Sequence, residues 1–169
     1  GGSLPAPRTI TLDNGLTVYY HQDGDLPLLS VRLLVKGAGT AFEPAEGLAD
    51  LTAALLLKGA AGRTAVQVAE AIDSLGASLD ISAADEYLSL SAGCLAEHAD
   101  ALMTIAADCL LRPAFSPEEF EKERQNRIDA LKAAKDDPEQ AVQLYFQKAY
   151  FGSHPLGHLA GGTESSLAA

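Results

Sequence analysis

The stretch Gly47-Leu48-Ala49-Asp50-Leu51-Thr52-Ala53-Ala54-Leu55-Leu56-Leu57-Lys58 decides how the rest of the chain is interpreted. Alanine and leucine are strong helix formers, and here they occupy nearly every face of a helix. A helix that is apolar all round has to be buried. These residues therefore predict a core helix, with Asp50 as an acidic side chain near its N-terminal end.

Strand signals lie before this helix and again after the following one. Two β-rich runs flank Asn14-Gly15, a pair that favours the positive φ angles of a tight turn, and they predict a hairpin. Alternation of apolar and polar residues predicts two later strands. The predicted strands cover 8–12, 16–20, 28–35, 77–82 and 86–93.

Helix signals fill the remaining chain. Thr64 with Gln67 forms a capping-box pattern, Ser116-Pro117-Glu118-Glu119 predicts an N-cap followed by a first-turn proline, and Asp137-Pro138 repeats that arrangement. The predicted helices cover 47–58, 64–75, 96–111, 117–135 and a segment from 138 onward. Segregated strands and helices predict an α+β fold, an antiparallel-rich mixed sheet covered by helices. We expect residues 1–7 to be a tag remnant or disordered start, and 8–169 to form a single domain.

The composition excludes several classes of protein. The 169 residues include 23 acidic and 12 basic side chains, for a net charge of -11. Nucleic acid is not an expected partner, because phosphate binding requires clustered Lys and Arg. No run reaches the ~20 apolar residues of a transmembrane segment, and no signal peptide is recognisable, which leaves both periplasm and cytoplasm open. Cys94 and Cys109 fit neither a disulfide framework nor a Cys-based zinc site, and we expect both in the core.

Short motifs occur in a fixed order along almost the whole chain. They are Leu12-Asp13-Asn14-Gly15-Leu16, Gly37 to Pro44, Gly47-Leu48-Ala49, Lys58-Gly59, Leu75-Gly76-Ala77, Asp85-Glu86-Tyr87, Arg112-Pro113-Ala114-Phe115, the Glu-rich helix, Tyr150-Phe151-Gly152 and His154-Pro155. Together they resemble the N-terminal domain of the insulinase, pitrilysin and mitochondrial processing peptidase family of zinc metallopeptidases. The resemblance implies the processing-peptidase type of α+β fold.

The resemblance also implies where a zinc site would lie. In active members the helix after the Gly-Leu-Ala match carries His-x-x-Glu-His, with two zinc ligands and the general base. Those positions hold Asp50, Ala53 and Ala54 here, and the third ligand position falls at or next to Ala130. Alanine has no donor atom, so we expect no catalytic residue, no metal ligand and no cofactor in this domain, although active relatives hold zinc.

Three carboxylates are possible residual polar groups of that site. Asp50 is either a lone metal ligand or an acid favoured by the helix dipole, and the second interpretation is preferred. Glu123 matches a supporting glutamate of the family. Glu123 and Asp129 also fit the solvated face of a charged helix. This second interpretation is preferred for both residues. His154 and His158 are expected in a turn without metal, and His21 and His98 on the surface.

The resemblance supports one leading function and leaves two alternatives. The first is a non-catalytic domain that pairs with an active homologous half, or with itself as a homo-oligomer, and helps to form a peptide-binding chamber for proteolysis. The second is an active metallopeptidase with a zinc site rebuilt from Asp50, Asp129 and a histidine. The third is a structural scaffold subunit of a larger assembly. Because a family half contains a second similar domain, we expect the chain to be a fragment of a longer polypeptide.

Overall fold

The computed structural model describes residues 6–22, 24 and 26–168, so part of the expected tag remnant lies outside the described residues. The strands are β1 (Arg8–Thr11), β2 (Thr17–Tyr20), β3 (Leu28–Lys36), β4 (Gly59–Ala60), β5 (Arg63–Thr64), β6 (Ser78–Ala83) and β7 (Tyr87–Leu95). The helices are α1 (Leu48–Leu56), α2 (Ala65–Ser74), α3 (Ala99–Leu111), α4 (Pro117–Asp136), α5 (Pro138–Phe151) and α6 (Glu164–Ala168). Short 3-10 turns cover Thr40–Phe42, Ala96–His98 and Pro155–Gly157.

The predicted strands form antiparallel sheets. β1 and β2 make the expected hairpin, in which the side chain of Asn14 accepts a hydrogen bond from the Leu16 amide at 3.0 Å. β7 lies between β3 and β6, with register pairs running from Leu28↔Leu95 to Lys36↔Tyr87 on one side. On the other side Ser78 faces Gly93. The predicted α+β class, rich in antiparallel strands, is confirmed, and every pair of described strands is antiparallel.

Helices α1, α2 and α3 cover one face of the three-stranded sheet, and this face forms the core. Alternate residues of β7 point into it, because successive side chains of a strand lie on opposite faces. Both cysteines are buried there as free thiols. Its most buried large side chains are Val68, Leu90, Leu102 and Cys109. The opposite face carries exposed polar side chains, namely Ser30, Arg32, Ser78, Asp80 and Ser82.

A small hairpin between α1 and α2 was not predicted. β4 and β5 each have two residues, which is too short for an alternation pattern to identify. The buried carboxylate of Asp108 on α3 holds this hairpin in place. It accepts a hydrogen bond from Arg63 at 3.0 Å and another from Arg112. These hydrogen bonds, first that from Arg112, hold the pKa of Asp108 below its usual value.

The core helix α1 is less buried than its sequence predicts. Its inner face is covered, but Leu48 is 43% exposed, so the prediction of a helix buried on all sides is wrong. Leu48, Leu51 and Leu55 line an apolar groove of about 410 Å³ whose far wall is formed by Phe115 and Phe120. The helix therefore presents a second apolar surface on the outside of the domain.

The predicted helix starts are confirmed at all three positions, and two of them have the predicted side-chain cap. Thr64 and Gln67 form the reciprocal capping box at the start of α2. Asp137 accepts hydrogen bonds from the amides of Glu139 (2.9 Å) and Gln140 (3.3 Å) at the start of α5. Ser116 makes no side-chain cap bond, so its predicted N-cap contact is wrong. Among the described helices, none is both long and apolar enough to cross a membrane.

Candidate functional site

The N-terminal end of α1 is fixed by buried contacts from the preceding turn. Both carboxylate oxygens of Glu43 accept hydrogen bonds, from the amide of Gly47 at 3.0 Å and from that of Ala49 at 2.8 Å. These are two of the amides that a helix start leaves without intrahelical partners. The ring of His158 lies against the same turn, with Nδ1 at 3.1 Å from the Thr40 carbonyl oxygen. His158 is therefore part of a packed contact between the two segments.

Arg127 of α4 binds the acidic residue of α1. Its Nη2 donates to Asp50 Oδ2 at 2.8 Å and to the Asp50 carbonyl oxygen at 3.1 Å. Its Nη1 donates to Glu123 Oε2 at 3.0 Å, and Glu123 Oε1 lies 3.1 Å from Lys58 Nζ. Asp50, Arg127, Glu123 and Lys58 thus form a row of alternating charges, which we call the charge chain. It joins α1 and the second residue after that helix to α4.

The centre of the charge chain is shielded from water. The side chains of Arg127 and Glu123 are only 12% and 14% exposed, whereas those of Asp50 and Lys58 are 38% and 37% exposed. Burial raises the pKa of Glu123, but hydrogen bonds from Lys58 and Arg127 outweigh it and leave the pKa below its ordinary value. Glu123 is therefore ionised at neutral pH. The interpretation of Glu123 as part of a solvated face is wrong.

The alanine positions implied by the resemblance lie around this cluster but do not share one cavity. Ala53 is 1% exposed and packs in the core. Ala54 lines a groove together with Lys58 and Glu123. Ala130 borders a separate cavity of about 380 Å³, which Arg127 also lines. Asp129 is exposed and contacts its own helix, with Gln125 at 3.0 Å and Lys132 at 3.7 Å.

Arg127 is a member of the charge chain that no sequence pattern singles out. It stands among the many charged side chains of α4, which are typical of a solvated helix face. Its spacing of four residues from Glu123 is typical of a helical ion pair and was visible in the sequence. Its contact with Asp50, 77 residues away, depends on how α4 crosses α1, which no local pattern reveals.

A groove runs from the charge chain along one edge of the sheet. Its volume is about 660 Å³, and Ala54, Lys58 and Glu123 form the end nearest the charge chain. The remaining walls come from α2 and from the start of β6. Among the described strands, β6 pairs only with β7, so its other edge carries backbone groups that no described strand uses. The groove therefore connects a charged cluster to an open strand edge.

The sequence was compared with known families and proteins. The model of the family described as "Insulinase (Peptidase family M16)" matches residues 18–164. The chain belongs to the insulinase family, M16. This confirms the family expected from the motifs.

Individual M16 relatives include proteins with different descriptions. The chain is 27% identical to an uncharacterized zinc protease, YmxG, of Bacillus subtilis, over 95% of this chain and 40% of that protein. It is also 27% identical to the non-peptidase homolog YmxG of Helicobacter pylori, over 89% of this chain and 35% of that one. A peptidase M16 inactive domain from Pseudomonas fluorescens has the same fold, with a TM-score of 0.89, 24% identity and coverage of 95% and 40%. The chain spans about two fifths of the length of the relatives that it matches.

The residues present do not fit the zinc ion that the M16 family implies. A catalytic zinc site usually takes three protein ligands. Asp50 and Glu123 are the carboxylates brought together here, and both are bound to Arg127. Within the described residues, no group of three or more His, Cys, Asp or Glu side chains is placed to hold a metal ion. The arrangement is suited to joining two helices and to presenting charge to a groove.

Proposed function

We propose that this chain is a non-catalytic domain of an M16 protein, which pairs with an active homologous half and forms part of the wall of a peptide-binding chamber. The charge chain carries this proposal. The guanidinium of Arg127 binds two carboxylates near the positions where the resemblance implies a metal. The fold and core of the domain are those of M16 relatives. A domain built in this way keeps its shape and surfaces without catalysing hydrolysis.

The names of the relatives support the non-catalytic part of the proposal. One solved M16 neighbour is described as an inactive domain and one curated relative as a non-peptidase homolog. Other relatives are described as zinc proteases. The family therefore includes both kinds of chain, and the charge chain supports grouping this one with the inactive kind. A rebuilt zinc site from Asp50 and Asp129 is not favoured, because Asp129 contacts its own helix and Asp50 is held by Arg127.

The edge of β6 supports a role in peptide binding. An extended peptide can add a strand to an open sheet edge, where backbone hydrogen bonds give affinity and adjacent pockets select side chains. The groove beside β6 supplies such a pocket, with apolar walls from Val68 and Ile72 and charges from Lys58 and Glu123 at one end. These groups suit a peptide with an apolar side chain flanked by a polar or charged one.

The outer face of α5 supports pairing with a homologous half. Four large apolar or aromatic side chains are spaced to share one side of the helix, and each is 62–71% exposed. They are Val142, Tyr145, Phe146 and Tyr150. Between residues 140 and 147 the helix carries no charged side chain, although the chain as a whole has a net charge of -11. An uncharged aromatic stripe is a surface on which a second acidic chain can approach without like-charge repulsion.

Co-purification with a zinc-binding M16 homologue from the same genome tests the pairing. We expect the two proteins to associate and the mixture to cleave unstructured peptides faster than the homologue alone. The double variant Tyr145→Ser/Phe146→Ser should lose association, whereas Tyr19→Ser, which changes an equally exposed tyrosine on β2, should not. Absence of association, or association without any effect on cleavage, would contradict the proposal. Recovery in a larger assembly without peptidase partners would favour a scaffold role.

A further inference from the structure

We infer that Arg127 takes the place of the metal ion in this domain, so that its guanidinium and a divalent cation exclude each other. This goes beyond the absence of zinc ligands, because it assigns a resident group to the position. It also predicts that restoring the ligands alone will not restore metal binding.

The location of Arg127 on α4 is the first step of the argument. It follows Glu123 by four residues and precedes Ala130 by three, and residues at these spacings share one side of a helix. That side faces α1, because the Arg127 side chain reaches both the carboxylate and the carbonyl oxygen of Asp50. Arg127 therefore projects from between the two α4 positions that the family resemblance assigns to the metal site.

The chemistry of the guanidinium is the second step. A metal at this point would be neutralised by carboxylates from both helices, and Arg127 neutralises the same groups through hydrogen bonds of 2.8 and 3.0 Å. A planar guanidinium is well matched to carboxylate oxygens and cannot be deprotonated in proteins. The positive charge is consequently permanent, whatever the pH at which the protein works.

Electrostatic repulsion is the third step. The side chain of Arg127 is 12% exposed, so water screens its charge poorly. Unit charges of the same sign separated by ~4 Å, at an effective dielectric constant of ~20, repel strongly enough to weaken binding by about a thousandfold. A divalent cation at the same carboxylates would experience at least this effect. The Nε atom of Arg127 is buried without a hydrogen-bond partner among the described residues. The side chain is therefore held mainly by its two terminal nitrogens.

Restoring the expected ligands with and without Arg127 tests this inference. Four substitutions that restore the expected ligands are combined in one chain, namely Asp50→His, Ala53→Glu, Ala54→His and Ala130→Glu. This chain is made in three forms, which carry Arg127, Arg127→Lys or Arg127→Gln. Zinc retained after dialysis is measured by elemental analysis, and circular dichroism checks folding. We expect the Gln form to hold about one zinc per chain and to bind it at least ~1000-fold more tightly than the Arg form. The Lys form should resemble the Arg form, because it keeps the charge.

Two results would overturn the inference. One is equal zinc binding by the Arg and Gln forms, and the other is a folded Gln form that binds no zinc. If the substituted chains do not fold, the otherwise unmodified chain tests the first premise, that Arg127 binds Asp50 at this position. Arg127→Gln should lower the unfolding midpoint of that chain more than it lowers the midpoint of an Asp50→Asn variant. Equal shifts in the two backgrounds would show that Arg127 does not occupy the position assigned to it.

Discussion

At the scale of single residues, the most informative contacts are those of Arg127, because they bind both carboxylates that α1 and α4 bring together. Two carboxylates brought together without a cation would repel each other in a poorly hydrated interior. The guanidinium removes that repulsion and adds hydrogen bonds to both. The cluster is therefore a stabilising element in its own right.

Glu123 should contribute stability that depends on pH. Glu123→Gln removes a carboxylate that binds two cations, and we expect it to lower the free energy of unfolding by ~1 to 3 kcal/mol at pH 7. Because the pKa of Glu123 is lowered from 4.5 by folding, this contribution is complete above pH 4.5 and is lost as the pH falls through the lowered value. The difference between variant and parent should shrink accordingly in urea unfolding followed by circular dichroism.

A matched substitution separates this effect from a general loss of charge. Glu70→Gln changes an exposed carboxylate on α2, and we expect its unfolding free energy to stay within ~0.5 kcal/mol of the parent. A difference for Glu123→Gln that persists unchanged at pH 3 would mean that ionisation of Glu123 does not stabilise the fold.

At the scale of elements, the sequence predicted every long helix and strand, and the reasons are local. The Asn14-Gly15 turn, the Thr64 capping box and the Asp137-Pro138 start all act within a few residues, so their patterns are visible without the fold. The strand order β3-β7-β6 depends on contacts between residues distant in sequence. The hairpin β4–β5 consists of strands of only two residues each. The same distinction explains why Asp50 could be singled out from its position, while its partner could not.

Two N-cap positions should respond differently to the same substitution. Thr64→Ala removes a side chain that accepts a hydrogen bond from the Gln67 amide, and we expect a loss of ~1 kcal/mol in unfolding free energy. Ser116→Ala should cost less than ~0.5 kcal/mol, because Ser116 makes no side-chain cap bond. Thermal unfolding of the two variants side by side measures this, and equal losses would contradict the assignment of the caps.

At the scale of the whole molecule, the segment around 157–162 is bound to the start of α1. Glu46 accepts a hydrogen bond from the amide of Leu159 at 3.0 Å and forms an ion pair with Lys148. Gly47 and Gly162 are so close that a Cβ built on Gly47 would lie 2.7 Å from the Gly162 Cα atom. These contacts join residues more than 100 positions apart, and they hold α1 in the position from which Asp50 meets Arg127.

A pair of glycine substitutions tests how much this closure contributes. Gly47 and Gly62 both have positive φ, of 88° and 84°, but only Gly47 has backbone atoms where a Cβ would be placed. Gly62→Ala should cost ~1 kcal/mol for the backbone conformation alone. Gly47→Ala should cost ~2 kcal/mol more, because the 157–162 segment has to move. Equal unfolding free energies for the two variants would show that the close approach is unimportant for stability.

The charge chain has a further consequence for mutational history. Asp50→His on its own would remove a partner of Arg127 and would gain no metal, because positions 53, 54, 127 and 130 would still be unsuitable. Breaking a shielded ion pair costs stability at once, whereas the benefit of a zinc site arises only when all its parts are present. Every short path to a zinc site therefore passes through less stable proteins. Such a site would consequently be difficult to build in this domain by single substitutions.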